Sequence, residues 1–147
     1  MRLVADTSAV LAAIVTSEPR HQDCRNLLQG ATHVFLTAHV STEVFYLLNS
    51  GGYLRAATDF LSDIANGFYS LIDLGPSDYD MAQQLIKRYT GQISRKRPKQ
   101  DLDLADAMNV IAAAHEETTI IATLDQDYRI LKPLVGPSFF TLVPDDL

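Results

Sequence analysis

Apolar positions change period several times along the chain, and each change suggests a new element. Arg2–Ala5 reads as a short buried strand, and Asp6-Thr7-Ser8 then offers N-cap chemistry to an apolar helical stretch at 9–15. Pro19 suits the first turn of a second helix that runs to about Gln29 and stops at Gly30, after which 34–37 has strand character. Over 38–49, Val40, Val44, Leu47 and Leu48 recur at helical spacing, with Glu43 among them, and Gly51-Gly52 closes that helix. The helical pattern continues over 55–66, and 69–74 is a further β candidate after Gly67. Ser77 with Asp80 three residues on resembles a capping box, opening a helix that reaches about Tyr89. Periodicity is lost over 90–100, a polar and basic stretch with Gly91 and Pro98, and an alanine-rich helix follows over 104–116 with Asp106 in its first turn. Residues 119–123 make a compact β-branched strand leading into Leu124-Asp125-Gln126-Asp127, and 139–143 supplies a last strand.

Strands alternating with helices predict an α/β domain, with a central, mainly parallel sheet flanked by helices on both faces. Residues 1–147 are expected to form a single domain, because 147 residues of which 47% are hydrophobic can bury one sizeable core, and the basic stretch is too short to separate domains. Cys24 is the only cysteine, so no internal disulfide is possible. The early apolar run at 9–15 is far too short to span a bilayer, and with no apolar signal core a cytoplasmic, membrane-free protein is expected. The formal net charge of −6 weighs against a polyanionic ligand. A clustered acidic site that recruits divalent cations would offset that deficit.

In open parallel sheets, functional groups gather beyond the carboxyl ends of the strands. Asp6 follows the first strand, Asp125 follows the 119–123 strand, Asp106 begins a helix beside the sheet, and Glu43 lies one turn into the helix after 34–37. Four carboxylates facing one space repel each other unless cations neutralise them. Mg²⁺ or another hard divalent ion prefers oxygen ligands and often needs only one or two direct carboxylates, leaving room for water and a phosphate oxygen. Such a site hydrolyses phosphodiesters with water as the attacking group, and the products carry 5′-phosphate and 3′-hydroxyl ends. Taken singly, each acid is explained equally well by capping or by the helix dipole. The metal reading rests on all four together.

Val4-Ala5-Asp6-Thr7-Ser8-Ala9, Thr42-Glu43-Val44, Leu104-Ala105-Asp106-Ala107 and Thr123-Leu124-Asp125-Gln126-Asp127-Tyr128 resemble, in order, the four motifs of PIN-domain nucleases. The size resembles most the toxin of VapBC toxin–antitoxin pairs. The resemblance implies a three-layer α/β/α fold and a Mg²⁺- or Mn²⁺-dependent endoribonuclease acting on an RNA substrate. It also implies frequent homodimerisation and inhibition by a cognate antitoxin. Carried over by motif, Asp6 and Asp106 become the metal ligands, Glu43 and Asp125 complete a catalytic quartet, and Ser8 and Thr123 orient that shell. Two departures stand out. Tyr128 occupies a place where the family often has Phe, which reads as a packing change, and Asp101 and Asp103 crowd the third motif. Asp103 could share a helical face with Asp106, but the apolar flanks favour Asp106 as the motif acid, leaving Asp103 either to start the helix or to support the metal ligands from behind.

Arg95-Lys96-Arg97-Pro98-Lys99, with Arg88 nearby, is either a phosphate-positioning segment or a solvated loop. His21, His33, His39 and His115 lack zinc-ligand spacing, and Tyr46, Tyr53, Phe60 and Phe68 read as core or dimer-interface packing. Two rival enzyme classes lack key acids. A phosphoacceptor receiver domain would match the small α/β plan and Lys132-Pro133, but its central aspartate and its paired acids after the first strand are missing. A haloacid-dehalogenase-type phosphatase needs Asp where Ser8 stands. A non-catalytic RNA- or partner-binding module on the same scaffold is the third alternative, disfavoured by the intact quartet.

Overall fold

The computed structural model describes residues 1–90 and 102–147. Its strands are β1 (Arg2–Ala5), β2 (His33–Thr37), β3 (Tyr69–Ile72), β4 (Ile120–Ala122) and β5 (Thr141–Val143). The helices are α1 (Thr7–Ile14), α2 (His21–Gly30), α3 (Ala38–Ser50), α4 (Leu54–Ala65), α5 (Pro76–Tyr89) and α6 (Leu104–His115), and a 3₁₀ turn covers Gln126–Arg129. The sheet order is β3-β2-β1-β4-β5, and every neighbouring pair is parallel. The order differs from the 2-1-3-4-5 arrangement of receiver domains. It also places the topological switch between β1 and β4, where chain direction across the sheet reverses and ligand crevices form in open α/β sheets.

Period-two alternation divides the strands between two cores. Leu3 and Ala5 of β1 with Val34 and Leu36 of β2 face a core shared with α1 to α4, including Val10, Leu28, Val44 and Phe60. Val4, Phe35 and Ile121 face the opposite core, filled by α5 and by Ala107, Met108, Val110 and Ile111 of α6. The result is three layers, α/β/α. Burial of α6 is nearly all-round, from Ala107 to Ala113, which explains why its apolar residues follow no single stripe.

Two local expectations are corrected. The α5 start is set not by Ser77 and Asp80 but two positions earlier, where Gly75 and Asp78 form half of a capping box. Pro76, with its preset φ, occupies the first helical turn, and the Asp78 carboxylate accepts the Gly75 N–H at 2.8 Å. Pro19 stands ahead of α2, which begins at His21 and includes Gly30. Of the aromatics, Phe60 is core, whereas Tyr46 and Tyr53 are exposed and Phe68 packs edge-on against Tyr69 while remaining partly exposed. Gly67, at φ +83°, turns the chain from α4 into β3 in a conformation a side chain would resist. The basic segment 95–99 and Asp101 lie outside the described residues. Among the described residues no helix is long and apolar enough to cross a membrane.

Candidate active site

Strand alternation decides where Asp6 points. Its backbone continues β1 in extended conformation, with its N–H donated to the Ala122 carbonyl at 2.9 Å, so its side chain leaves on the same face as Val4, toward α6. Thr123 extends β4 in the same way, two residues after Ile121, and donates its hydroxyl to Asp6 Oδ2 at 2.9 Å. Ser8 donates to the same oxygen at 3.0 Å and accepts the Leu124 N–H at 2.9 Å, tying the ends of β1 and β4 together. Asp6 is only 6% exposed. Although it occupies the N-cap position of α1, its side chain makes no cap bond, so the capping explanation fails for this acid.

The other Asp6 oxygen faces α6 and the 3₁₀ turn. Asn109 Nδ2 donates to Oδ1 at 3.3 Å and to the Tyr128 hydroxyl at 2.8 Å. Tyr128 in turn lies 3.0 Å from Asp106 Oδ1 and 3.3 Å from Asp6 Oδ1, with one hydroxyl hydrogen to give. One phenol thus bridges both acids. Asn109 directs its amide donor into this network and leaves its own buried carbonyl oxygen without a partner. Tyr128 is therefore more than a packing substitute for Phe, because its hydroxyl is the polar contact between the two carboxylates.

Both acids are held above the ordinary carboxylate range. Burial is the main cause at Asp6, outweighing the opposing hydrogen bonds from Thr123 and Ser8, with a further upward push from Asp125. The carboxyl of Asp106 is pushed up to about 8, first by burial and then by repulsion from Asp103 and Asp6. Burial, together with the two neighbouring carboxylates, also drives the Tyr128 phenol well above its usual value. Groups that resist ionisation in the absence of a cation are thus concentrated at the switch point.

The remaining acids are placed more loosely. Glu43, exposed on α3, accepts the Thr7 hydroxyl at 3.3 Å, which links it to the residue beside Asp6. Asp125 caps the 3₁₀ turn by accepting the Asp127 N–H at 2.9 Å, and its own N–H goes to Thr123 Oγ1 at 3.0 Å. Asp103 caps α6 by accepting the Asp106 N–H at 2.9 Å. Among the described residues, no three Asp, Glu, His or Cys side chains close into a ready-made metal cage. Instead, Asp6 and Asp106 are joined through Tyr128, Asp125 acts on Asp6 electrostatically, and Glu43 is linked through Thr7. The histidines are dispersed: His21 bonds the Ala12 carbonyl, His33 stacks on Phe35, His39 meets Tyr79 and His115 meets Asp78.

Asn109 and Thr7 escaped the sequence reading. The signal for Asn109 was an amide at 109 inside an otherwise apolar, alanine-rich run, three residues after Asp106. Thr7 lies in the N-cap run and the first motif, but nothing in the sequence points to its bond with Glu43.

A hard divalent cation fits this donor set. The ligating atoms on offer are carboxyl oxygens, those of buried Asp6 and half-buried Asp106 lacking a cationic partner among the described residues, and Mg²⁺ commonly takes one or two carboxylates with waters completing its shell.

Comparison with known proteins agrees with the geometry. The chain is 27% identical over 144 residues to Ribonuclease VapC26 of Mycobacterium tuberculosis (strain ATCC 25618 / H37Rv), covering 97% of this chain and all of that one. Its fold matches the crystal structure of M. tuberculosis VapC20, described as a Sarcin-Ricin loop cleaving toxin. The TM-score is 0.74 at 18% identity, over 92% of this chain and 99% of that one. Residues 3–132, from the first strand past the Tyr128 turn, match the PIN domain, and the chain belongs to the PIN domain family.

Proposed function

We propose that this protein is a metal-dependent endoribonuclease, the toxin of a type II toxin–antitoxin pair, which hydrolyses RNA phosphodiesters with water. The observation that carries the reading is the pair of buried Asp6 and half-buried Asp106 bridged by Tyr128, two carboxyls that hold their protons tightly without a cation and would release them to one. Likeness to a ribonuclease over nearly the whole chain supports the substrate class. A cognate antitoxin partner and a cytoplasmic setting are part of the same proposal.

In this reading Asp6 and Asp106 would hold Mg²⁺ or Mn²⁺. When bound, the ion supplies Lewis-acid polarisation of the phosphoryl oxygen and a more acidic water. Thr123 and Ser8 fix the rotamer of Asp6, and Tyr128 and Asn109 set the spacing of the two carboxylates. Glu43 and Asp125 flank that pair, able to orient the attacking water or accept its proton. Exposed apolar side chains on α3, on α4 and in the turn between them, Tyr46, Leu47, Tyr53 and Leu54 among them, suit a homodimer contact.

The test is cleavage of mixed RNA by purified protein with Mg²⁺ or Mn²⁺, against EDTA and against Asp6→Ala. Metal-dependent cleavage leaving 5′-phosphate and 3′-hydroxyl ends is expected. Cyclic-phosphate ends would contradict water attack, and equal activity in Asp6→Ala would remove the metal assignment. A protein that binds RNA without cutting it would be the non-catalytic module.

A further inference from the structure

A cleft of about 490 Å³ opens beside the acidic site, lined by Ala38, His39, Thr42, Tyr79, Asp103, Leu104 and Ala105. It adjoins that site on two sides, since Thr42 precedes Glu43 on α3 and Asp103 caps the helix carrying Asp106. Its lining is mainly apolar, and Tyr79 and Leu104 are 49% and 39% exposed. Such a surface beside carboxylates is a poor seat for phosphate and a good one for the flat face of a base.

The polar groups refine this choice. His39 Nε2 lies 3.1 Å from the Tyr79 hydroxyl, while His39 Nδ1 is buried without a partner. A buried bare lone pair costs less than a buried N–H with nothing to accept it, so the proton belongs on Nε2, donating to Tyr79. The Tyr79 hydroxyl hydrogen is then released for another acceptor. Asp103 commits one carboxylate oxygen to the α6 cap, and a carboxylate has about four acceptor sites, so acceptor capacity remains. An aromatic ring and a carboxylate acceptor together suit a base bearing an exocyclic amino group, with the carboxylate accepting from that group as it does from cytosine N4.

We propose that this cleft is the subsite for a nucleobase flanking the scissile phosphate. The base stacks on Tyr79, and Asp103 selects amino-bearing bases (adenine, cytosine or guanine) over uracil. The assignment rests on the ribonuclease reading above and adds the residues that choose where the RNA is cut.

The test uses single-stranded RNA oligonucleotides that differ only at the positions flanking the cut, with A, C, G or U in each. Wild-type kcat/KM should fall about 10-fold for uracil at one flanking position. Asp103→Asn keeps a capping oxygen but presents an amide donor, and should reverse the preference toward uracil. Tyr79→Ala should lower kcat/KM about 10-fold for every base, and Tyr79→Phe should recover most of it. The ratio between bases is the decisive readout, since a change acting only through Asp106 alters all substrates equally. An unchanged base ratio in Asp103→Asn, or uniform loss of cleavage, would overturn the subsite. Binding of the same oligonucleotides to the Asp106→Asn protein, followed by fluorescence anisotropy, separates the two readings. Base preference in binding without wild-type cleavage would remove the nuclease alone, and cleavage without base preference would remove the subsite alone.

Discussion

Aspartates occupy two contrasting settings on either side of the 3₁₀ turn. On its outer side Asp146 takes two bonds from Arg129 at 2.7 and 2.8 Å, and Asp145 takes one from Arg20 at 2.9 Å. These acids are neutralised within the chain, and the Arg129 guanidinium holds the Asp146 carboxyl below its usual range. On the inner side Asp6 and Asp106 receive bonds from Ser, Thr, Asn and Tyr, and among the described residues neither is bonded by Lys or Arg. Their carboxyls are held high instead. The same residue type thus serves as half of an ion pair at the rim and as a carboxyl without a charged partner, holding its proton, at the switch point. Tyr128 and Arg129, adjacent in one turn, each serve one side.

The largest expected break in this contrast comes from the inner acids. Asp6→Asn or Asp106→Asn should lower RNA cleavage on the order of 10³-fold, as expected where several kcal/mol of charge stabilisation are lost, measured as kcat/KM at saturating Mg²⁺. The same Asp106→Asn protein, without metal, should be more stable by about 1–2 kcal/mol in denaturant titration near pH 7, because folding no longer has to protonate a carboxyl that is ionised in the unfolded chain. Tyr128→Phe should reduce cleavage or metal affinity by about 10- to 100-fold while the fold persists, since the hydroxyl that spaces the two acids is gone. Activity equal to wild type would return that residue to a packing role.

A pH series sharpens the contrast further. Asp106 retains its proton in the folded state up to about 8, whereas the unfolded chain loses it near 3.8, so the folded state binds more protons in that window. Metal-free protein should therefore lose stability as pH rises from about 4 to about 8, and Asp6 contributes with the same sign. Saturating Mg²⁺ should flatten that decline, read as Tm against pH. Arg129→Gln, the smallest perturbation, should lower Tm by about 2 °C and leave cleavage unchanged, as expected for an exposed ion pair.

Local periodicity and end chemistry carry within a few residues, so the sequence by itself determined the alternation of strands and helices, the placement of Asp6, Asp125 and Asp106 at strand and helix ends, and the motif order that signals the PIN family. What lies far apart along the chain was settled elsewhere. Only the tertiary structure decided the order β3-β2-β1-β4-β5, the meeting of Asp6 with Asn109 and Tyr128 across 103 and 122 positions, and the pairing of Arg20 with Asp145. The shifted α5 cap shows that a local rule also leaves competing solutions, which Pro76 and packing resolved. A carboxylate looks the same in sequence whether an arginine or an empty oxygen cradle awaits it, and only long-range packing sets its solvation and its neighbours.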